Sequence, residues 1–424
     1  MKEKEIITYK GFGSDMKCFG EFQYEEGKEY ETDEVVKCCI SGFHSCIYPL
    51  DVLEYYPPYT YTYQRTKYFQ TIASGEIDSN PNSSDTKIAS SKIKLDKYPL
   101  SFAELAQAAV DYIHSKIKYT NSERSIYKYK KSVSGKSIKI NTKDRSEACN
   151  RARASILANI SNKSTVDVEG MNSIAASTGD CSISTTHDMG SVAVNTSPRS
   201  VSISNEYDSA AVNTNRYSIS SSKSPNSAAI NTRSASVSIT NGNRGSVAVC
   251  TNYCSVSESN DTSGVAVCTN NYSASLVNDF NSVAVNTGTG GEIETTRECS
   301  IAASTGNNKL ITNGDKSIAA NTTNTAIGST IICNGNLNVA VSTNENSEII
   351  LKKSGSIGVC TAGNSWVMGV KGCYFLTQSN KINGNHEAKL FLVDGRNIKE
   401  NIWYHITEDG FLEEDPEYEP DHKE

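Results

Sequence analysis

The sequence predicts a mainly β protein. Its body is a parallel β-solenoid of 18-residue coils, each made of two nine-residue halves. A small mixed, β-rich domain and one helix precede it, and a β-hairpin cap follows. Three observations carry this. The phrase Ser-apolar-Ala-apolar-Asn-Thr recurs thirteen times, almost always 18 residues apart, as in Ser191-Val-Ala-Val-Asn-Thr196 and Ser209-Ala-Ala-Val-Asn-Thr214. A shorter phrase starts nine residues after the first, as in Ser182-Ile-Ser184 and Ser200-Val-Ser202. Gly, Asn, Asp and Ser collect between phrases, as in Thr178-Gly-Asp180 and Asn241-Gly-Asn243, where tight turns need φ > 0. A unit this short cannot bury an apolar face alone, so copies must stack. Thirteen coils at about 4.8 Å each make a rod about 60 Å long.

The elements follow in order. Residues 1–97 mix aromatic and charged side chains, and runs such as Glu21-Phe-Gln-Tyr24 and Lys87-Ile-Ala-Ser-Ser-Lys-Ile-Lys-Leu95 read as short strands. Ser101-Phe-Ala-Glu104 is a capping box, and Leu105, Ala108, Ala109, Tyr112 and Ile113 follow at helical spacing, which predicts a helix over 102–117. Helix and a basic, Tyr-rich connector, read as solvated chain, fill 98–136. The coils occupy 137–370. Three irregular spacings, 19 residues from Ser227 to Ser246, 17 from Ser300 to Ser317 and 21 from Ser317 to Asn338, are expected in turns and not in the core. Within 371–424, Lys389-Leu-Phe-Leu-Val393, a turn at Asp394-Gly395 and Ile402-Trp-Tyr-His-Ile406 read as a hairpin that covers the last coil. The acidic, Pro-broken tail from Glu413 onward is expected to be disordered.

Strand alternation assigns faces. The apolar second and fourth positions of the main phrase, such as Val192 and Val194, are expected inside. The third, Ala193, Ala211, Ala229, Ala248, Ala266 and Ala284 among others, is then expected outside. By the same parity Ser184, Ser202 and Ser220 would coat the second sheet with hydroxyls. Stacked Asn and Thr would form ladders between identical side chains. A column of outward Ala fits either duplication of a favoured unit or a self-association surface where two sheets approach closely.

Composition narrows the function. With 41 basic and 48 acidic residues the net charge is −7, which disfavours a nucleic-acid binder. The opening residues lack an apolar signal core, and no run is long enough to span a bilayer. Thirteen cysteines without a signal read as free thiols in a reducing compartment. The expected location is therefore inside a cell, or in a particle assembled there, with no membrane partner. The repeats lack the carboxylate and glycine pattern of a calcium-binding β-roll, and Cys250 and Cys268 read as small buried residues in the Asn column. Chemistry, if any, belongs to Cys38-Cys-Ile-Ser-Gly-Phe-His-Ser-Cys46. With Cys18, this segment holds zinc-ligand types without a Cys-x₂-Cys spacing. His44, Cys46 and Tyr55 are the candidate binding residues. No catalytic residue, metal ligand or cofactor is assigned.

Two resemblances add to this reading. Tyr9-Lys-Gly-Phe12, the run from Gly20 to Glu31, Ser41-Gly-Phe-His-Ser-Cys46 and Pro49-Leu-Asp-Val-Leu-Glu-Tyr-Tyr56 resemble a domain-of-unknown-function family of bacteriophages, prophages and their hosts. Its members continue into Ala-Asn-Thr-type repeats. The resemblance implies a phage or mobile-element origin, and with it the cytoplasm of a host cell or a virion as the location, and transfers no catalytic residue. Gly42-Phe-His44 with Pro49 and Tyr55 is also similar to the strand-then-helix segment of ADP-ribosyltransferase-like folds, where an aromatic residue contacts nicotinamide. Two functions remain open. One is a scaffold that self-associates and presents its N-terminal domain to a host protein or virion component. The other is an enzyme in residues 1–97 with the solenoid as spacer.

Overall fold

The computed structural model describes residues 5–18, 22–58, 65–80, 85–116, 138–141, 147–150, 153–160, 162–322, 328–379 and 386–420. The chain divides into two compact units, one of residues 1–60, 64–221 and 230–237, the other of residues 61–63, 222–229 and 238–424. The predicted mainly β architecture, a parallel solenoid behind a small β domain, is the fold observed.

The first unit opens with β1 (Ile6–Phe12), β2 (Glu29–Glu31), β3 (Phe43–Cys46), β4 (Lys67–Ser79) and β5 (Lys87–Leu95), ordered β2-β5-β3-β1-β4 in one antiparallel sheet. The long β4 also pairs with β5, with a register shift between Ser74 and Ile77, so the sheet closes on itself. Phe12, Met16, Tyr24, Phe43, Phe69, Ile93 and Leu95 fill it. A short helix α1 (Val52–Tyr55) follows β3. The helix read from the capping box is α2 (Phe102–Lys116). There the Glu104 carboxylate accepts the Ser101 N–H at 2.8 Å, while the Glu104 N–H reaches Ser101 Oγ at 3.2 Å. The predicted connector after it lies outside the described residues.

Coils of this unit stack as expected, with Ala175 opposite Ala193 and Ala193 opposite Ala211 in parallel register. The second unit stacks Val247–Cys250, Val265–Cys268, Val283–Asn286, Ile301–Ser304, Ile318–Asn321, Val339–Ser342, Ile357–Cys360 and Tyr374–Gln378 in the same way. Ala302, Ala319 and Ala340 stay in register through the 17- and 21-residue spacings, so neither irregularity breaks the stacking of this sheet.

The face assignment is reversed. Ala193, Ala211, Ala229, Ala248, Ala266 and Ala284 are all fully buried, while the branched residues beside them, such as Val192, Val194, Val283 and Val285, face outward and are half-buried. The Ala column therefore cannot be a self-association surface. Ser184, Ser202 and Ser220 also point inward and are fully buried, so no hydroxyl coat exists. The cause is the thin interior. Asn195 shares Ala193's parity and bridges the two sheets, donating to Ser202 Oγ at 2.9 Å and the Val201 carbonyl at 2.5 Å and accepting from Ser184 Oγ at 3.1 Å. Only small side chains fit beside such a bridge. These bonds cross between sheets rather than joining Asn to Asn, and Thr178, Thr196 and Thr214 stand exposed instead of forming a ladder. Farther along, in the second unit, Ile293, Leu310, Ile331 and Ile349 replace the inward Ser, and the interior becomes apolar. Cys250 and Cys268 take the Asn position, fully buried and not joined in a disulfide, as read.

The turns also differ from expectation. The residue with φ > 0 is the one before the phrase-opening Ser, whatever its type: Arg199, Tyr217, Ala235 and Leu337 as well as Asn172 and Gly190. Gly179 and Gly242 do not take that role. Neighbouring coils hold the conformation, since Arg199 N–H donates to the Arg216 carbonyl at 3.2 Å and Ser191 N–H to Ser209 Oγ at 3.3 Å. The C-terminal cap contains a hairpin, Tyr404–Ile406 with Leu412–Glu414, but not the one expected around Asp394-Gly395. Ala388–Leu392 adds antiparallel to Tyr374–Gln378, whereas Tyr404–Ile406 adds to Ser365–Gly369 of the other sheet, so each segment extends its own ladder. Over residues 413–420 the expected disorder is not found: Tyr418 stacks on Trp366 with ring centroids 4.3 Å apart and donates to the Glu348 carboxylate at 2.7 Å. Among the described residues no helix is long and apolar enough to cross a membrane.

Candidate functional site: a cleft in the N-terminal domain

A cleft of about 750 Å³ opens in the β domain, and His44, Cys46 and Tyr55 all line it with Lys10, Phe22, Tyr24 and Lys87. Two glycines make its walls possible. Gly42 holds φ at 91° just before β3, where a Cβ would lie 3.0 Å from the Ser90 carbonyl. A Cβ on Gly11 would meet Tyr56 Cβ at 2.5 Å, so only glycine lets α1's end pack against β1.

His44 lies on β3 with its Nε2 accepting the Cys39 N–H at 2.8 Å. Burial, with Lys10 and Lys87 nearby, holds its pKa below the ordinary histidine range, which suits an acceptor nitrogen. Cys46 is nearly fully buried, and burial together with Asp51 and Asp85 pushes its thiol well up. A neutral, enclosed thiol is a poor nucleophile. The Tyr55 hydroxyl donates to the Asp85 carboxylate, and Lys87 Nζ sits 4.2 Å from the ring centroid. Burial and that bond raise the Tyr55 pKa.

Lys10 escaped the sequence reading. Thr8, Lys10 and Phe12 share one face of β1 and all three are buried, so a lysine on an inward parity was the available signal. Its Nζ donates to the His44 carbonyl at 2.8 Å and lies 5.4 Å from the ring centroids of Phe12 and Tyr24. Burial lowers its pKa, against the opposite pull of the Cys18 and Cys46 thiols.

Within the first unit this domain is fixed to the coils by a buried ion pair. Asp51 is fully buried, accepting from Thr86 N–H at 2.7 Å and Thr86 Oγ1 at 2.8 Å, and lies 3.5 Å from Arg199 Nη2. Tyr48, also fully buried, donates to the Tyr217 carbonyl at 2.7 Å. Among the described residues the group with metal-ligand geometry is Cys149, Asp167 and Glu169, away from the Cys18, Cys38, Cys39 and Cys46 thiols considered from sequence.

The fold and site define a β-solenoid protein carrying an N-terminal cleft domain. Residues 6–108, which contain the whole cleft, match the family described as Domain of unknown function (DUF7666). No curated protein matches the chain, and no solved structure does either.

Proposed function

We propose that the chain is a scaffold that self-associates through its solenoid and presents its N-terminal domain to a partner of the host cell or virion. The supporting observation is an apolar sheet face in the second unit. Each of the seven parallel strands from Val247–Cys250 to Ile357–Cys360 turns two aliphatic side chains outward, and the eighth, Tyr374–Gln378, turns out Tyr374, Leu376 and Gln378. Leu390 and Leu392 extend the face on the adjoining antiparallel strand, 65% and 44% exposed. Ile301, Ile318 and Ile357 are each 38–41% exposed. None of these columns carries a charge.

Nine strands at about 4.8 Å and two side-chain columns give roughly 500 Å² per copy, so a pair would bury about 1,000 Å². A uniform uncharged face is self-complementary about a two-fold axis, which favours a second copy as its occupant. Light scattering of the wild type against Val283→Lys combined with Val341→Lys tests this. The wild type should be oligomeric at micromolar concentration and the variant monomeric. A monomeric wild type, or an oligomeric variant, would refute it.

The enzymatic alternative draws support from one fact, that His44 and Tyr55 line the same cleft. NAD turnover by the wild type that disappears in His44→Ala would favour it over the scaffold.

A further inference from the structure

We propose that the N-terminal cleft binds a mononucleotide-like ligand, a flat aromatic ring carrying an anionic group, with the anion at Lys10 Nζ and the ring at Phe22. This goes beyond the scaffold reading and stands whether or not the solenoid self-associates.

The anion half rests on hydrogen-bond accounting. An ammonium carries three N–H donors. Lys10 gives one to the His44 carbonyl, and the faces of Phe12 and Tyr24 are its other neighbours. Among the described residues no carboxylate pairs with it, although it is only 6% exposed. A buried cation without a counter-charge is costly, and an incoming anion would relieve that cost. Ser45, which lines the same cleft, has a buried Oγ without a hydrogen-bond partner and offers a second donor. His44 is held neutral and adds no competing charge. Of the two carboxylates that line the cleft, Glu31 pairs with Lys92 at 3.1 Å and Glu34 is exposed to solvent.

The ring half rests on Phe22. It is 44% exposed, yet held by edge contacts with Tyr24, Tyr30 and Phe43 at centroid distances of 4.8, 5.4 and 5.8 Å. A fixed, exposed aromatic face in a cleft is a stacking platform. At about 750 Å³ the cleft is far larger than a bare phosphate needs and falls in the range of small-molecule sites.

The test is isothermal titration of the full chain with AMP, adenosine and inorganic phosphate. AMP should bind at least about tenfold more tightly than either fragment. Lys10→Met should reduce AMP to the affinity of adenosine, and Phe22→Ala, at an exposed position, should weaken AMP and adenosine alike. Circular dichroism checks the fold of each variant. If Lys10→Met does not fold, the wild-type ranking and Phe22→Ala decide. The proposal is overturned if AMP fails to bind at millimolar concentration, if AMP and adenosine bind equally, if folded Lys10→Met keeps wild-type affinity, or if Phe22→Ala leaves AMP binding unchanged.

Discussion

Adjacent residues on one strand should answer the same substitution in opposite ways. Ala284 is fully buried in the apolar interior with Ala266, Ala302 and Ile293, while Val283 faces outward. Ala284→Lys must place three extra carbons and an ammonium where no space or counter-charge exists. Overpacking costs about 1–3 kcal/mol. Enclosing an unpaired charge costs several more, so the total loss should exceed about 4 kcal/mol. In the dissociated chain, at submicromolar concentration, Val283→Lys loses only cross-strand packing with Val265 and Ile301, worth about 0.5–1 kcal/mol, because its ammonium reaches water. The chain's two tryptophans, Trp366 and Trp403, both lie in the second unit, so urea titration followed by their fluorescence reports on it directly. The midpoint for Ala284→Lys should collapse and that for Val283→Lys should stay near wild type. Equal midpoints, or a reversed order, would show that the faces are misassigned.

Other outcomes follow from the same geometry. Asn213→Ala removes the partner of Ser220 Oγ at 2.9 Å and Ser202 Oγ at 3.1 Å and should destabilise the first unit by about 2–4 kcal/mol in urea titration, whereas Thr214→Ala, which is exposed, should be neutral. Asp51 has a folded pKa raised chiefly by burial, with Arg199 and Thr86 opposing. Its contribution is therefore fully present below the unfolded value near about 3.9 and is lost as pH rises through the raised folded value. The stability of wild type relative to Asp51→Asn should accordingly fall from acid toward neutral pH, and a difference that grows with pH would contradict the assignment. Gly42→Ala places a Cβ at φ 91° against the Ser90 carbonyl, and thermal melts should show a loss of about 1–3 kcal/mol.

Much of the fold was legible because the repeat writes it directly. The Ser and Asn-Thr positions gave the period, and Ser101 with Glu104 gave the start of α2. The faces were not legible from hydropathy. Assigning Val inward and Ala outward presumes a core wide enough for branched side chains, whereas Asn195 bridging to Ser184 and Ser202 sets a narrower gap. The better signal was uniformity: the interior column stays Ala through coil after coil, while the outward positions drift among Val, Ile and Ala. The hairpin failed because two apolar segments around Asp394-Gly395 read the same whether they pair with each other or each extend a separate sheet. In the cleft, His44, Cys46 and Tyr55 stood out by residue type, whereas Lys10 was signalled only by sharing the strand parity of Thr8 and Phe12.

The bridging Asn and Ser side chains have a consequence for how such a chain can change length. In the first unit each coil presents the same donors and acceptors to the coil before and the coil after, since Ser182, Ser200 and Ser218 hand their backbone N–H groups forward in identical fashion. A deletion or duplication of one whole 18-residue unit therefore restores every bond at the new junction, while a shift by any other number misaligns them all. Recombination between neighbouring repeats can thus edit this stretch as interchangeable modules. The Ile-lined coils leading to Tyr374–Gln378, where Gly358 and Gly369 leave space for Phe375, are bespoke and cannot be traded in this way.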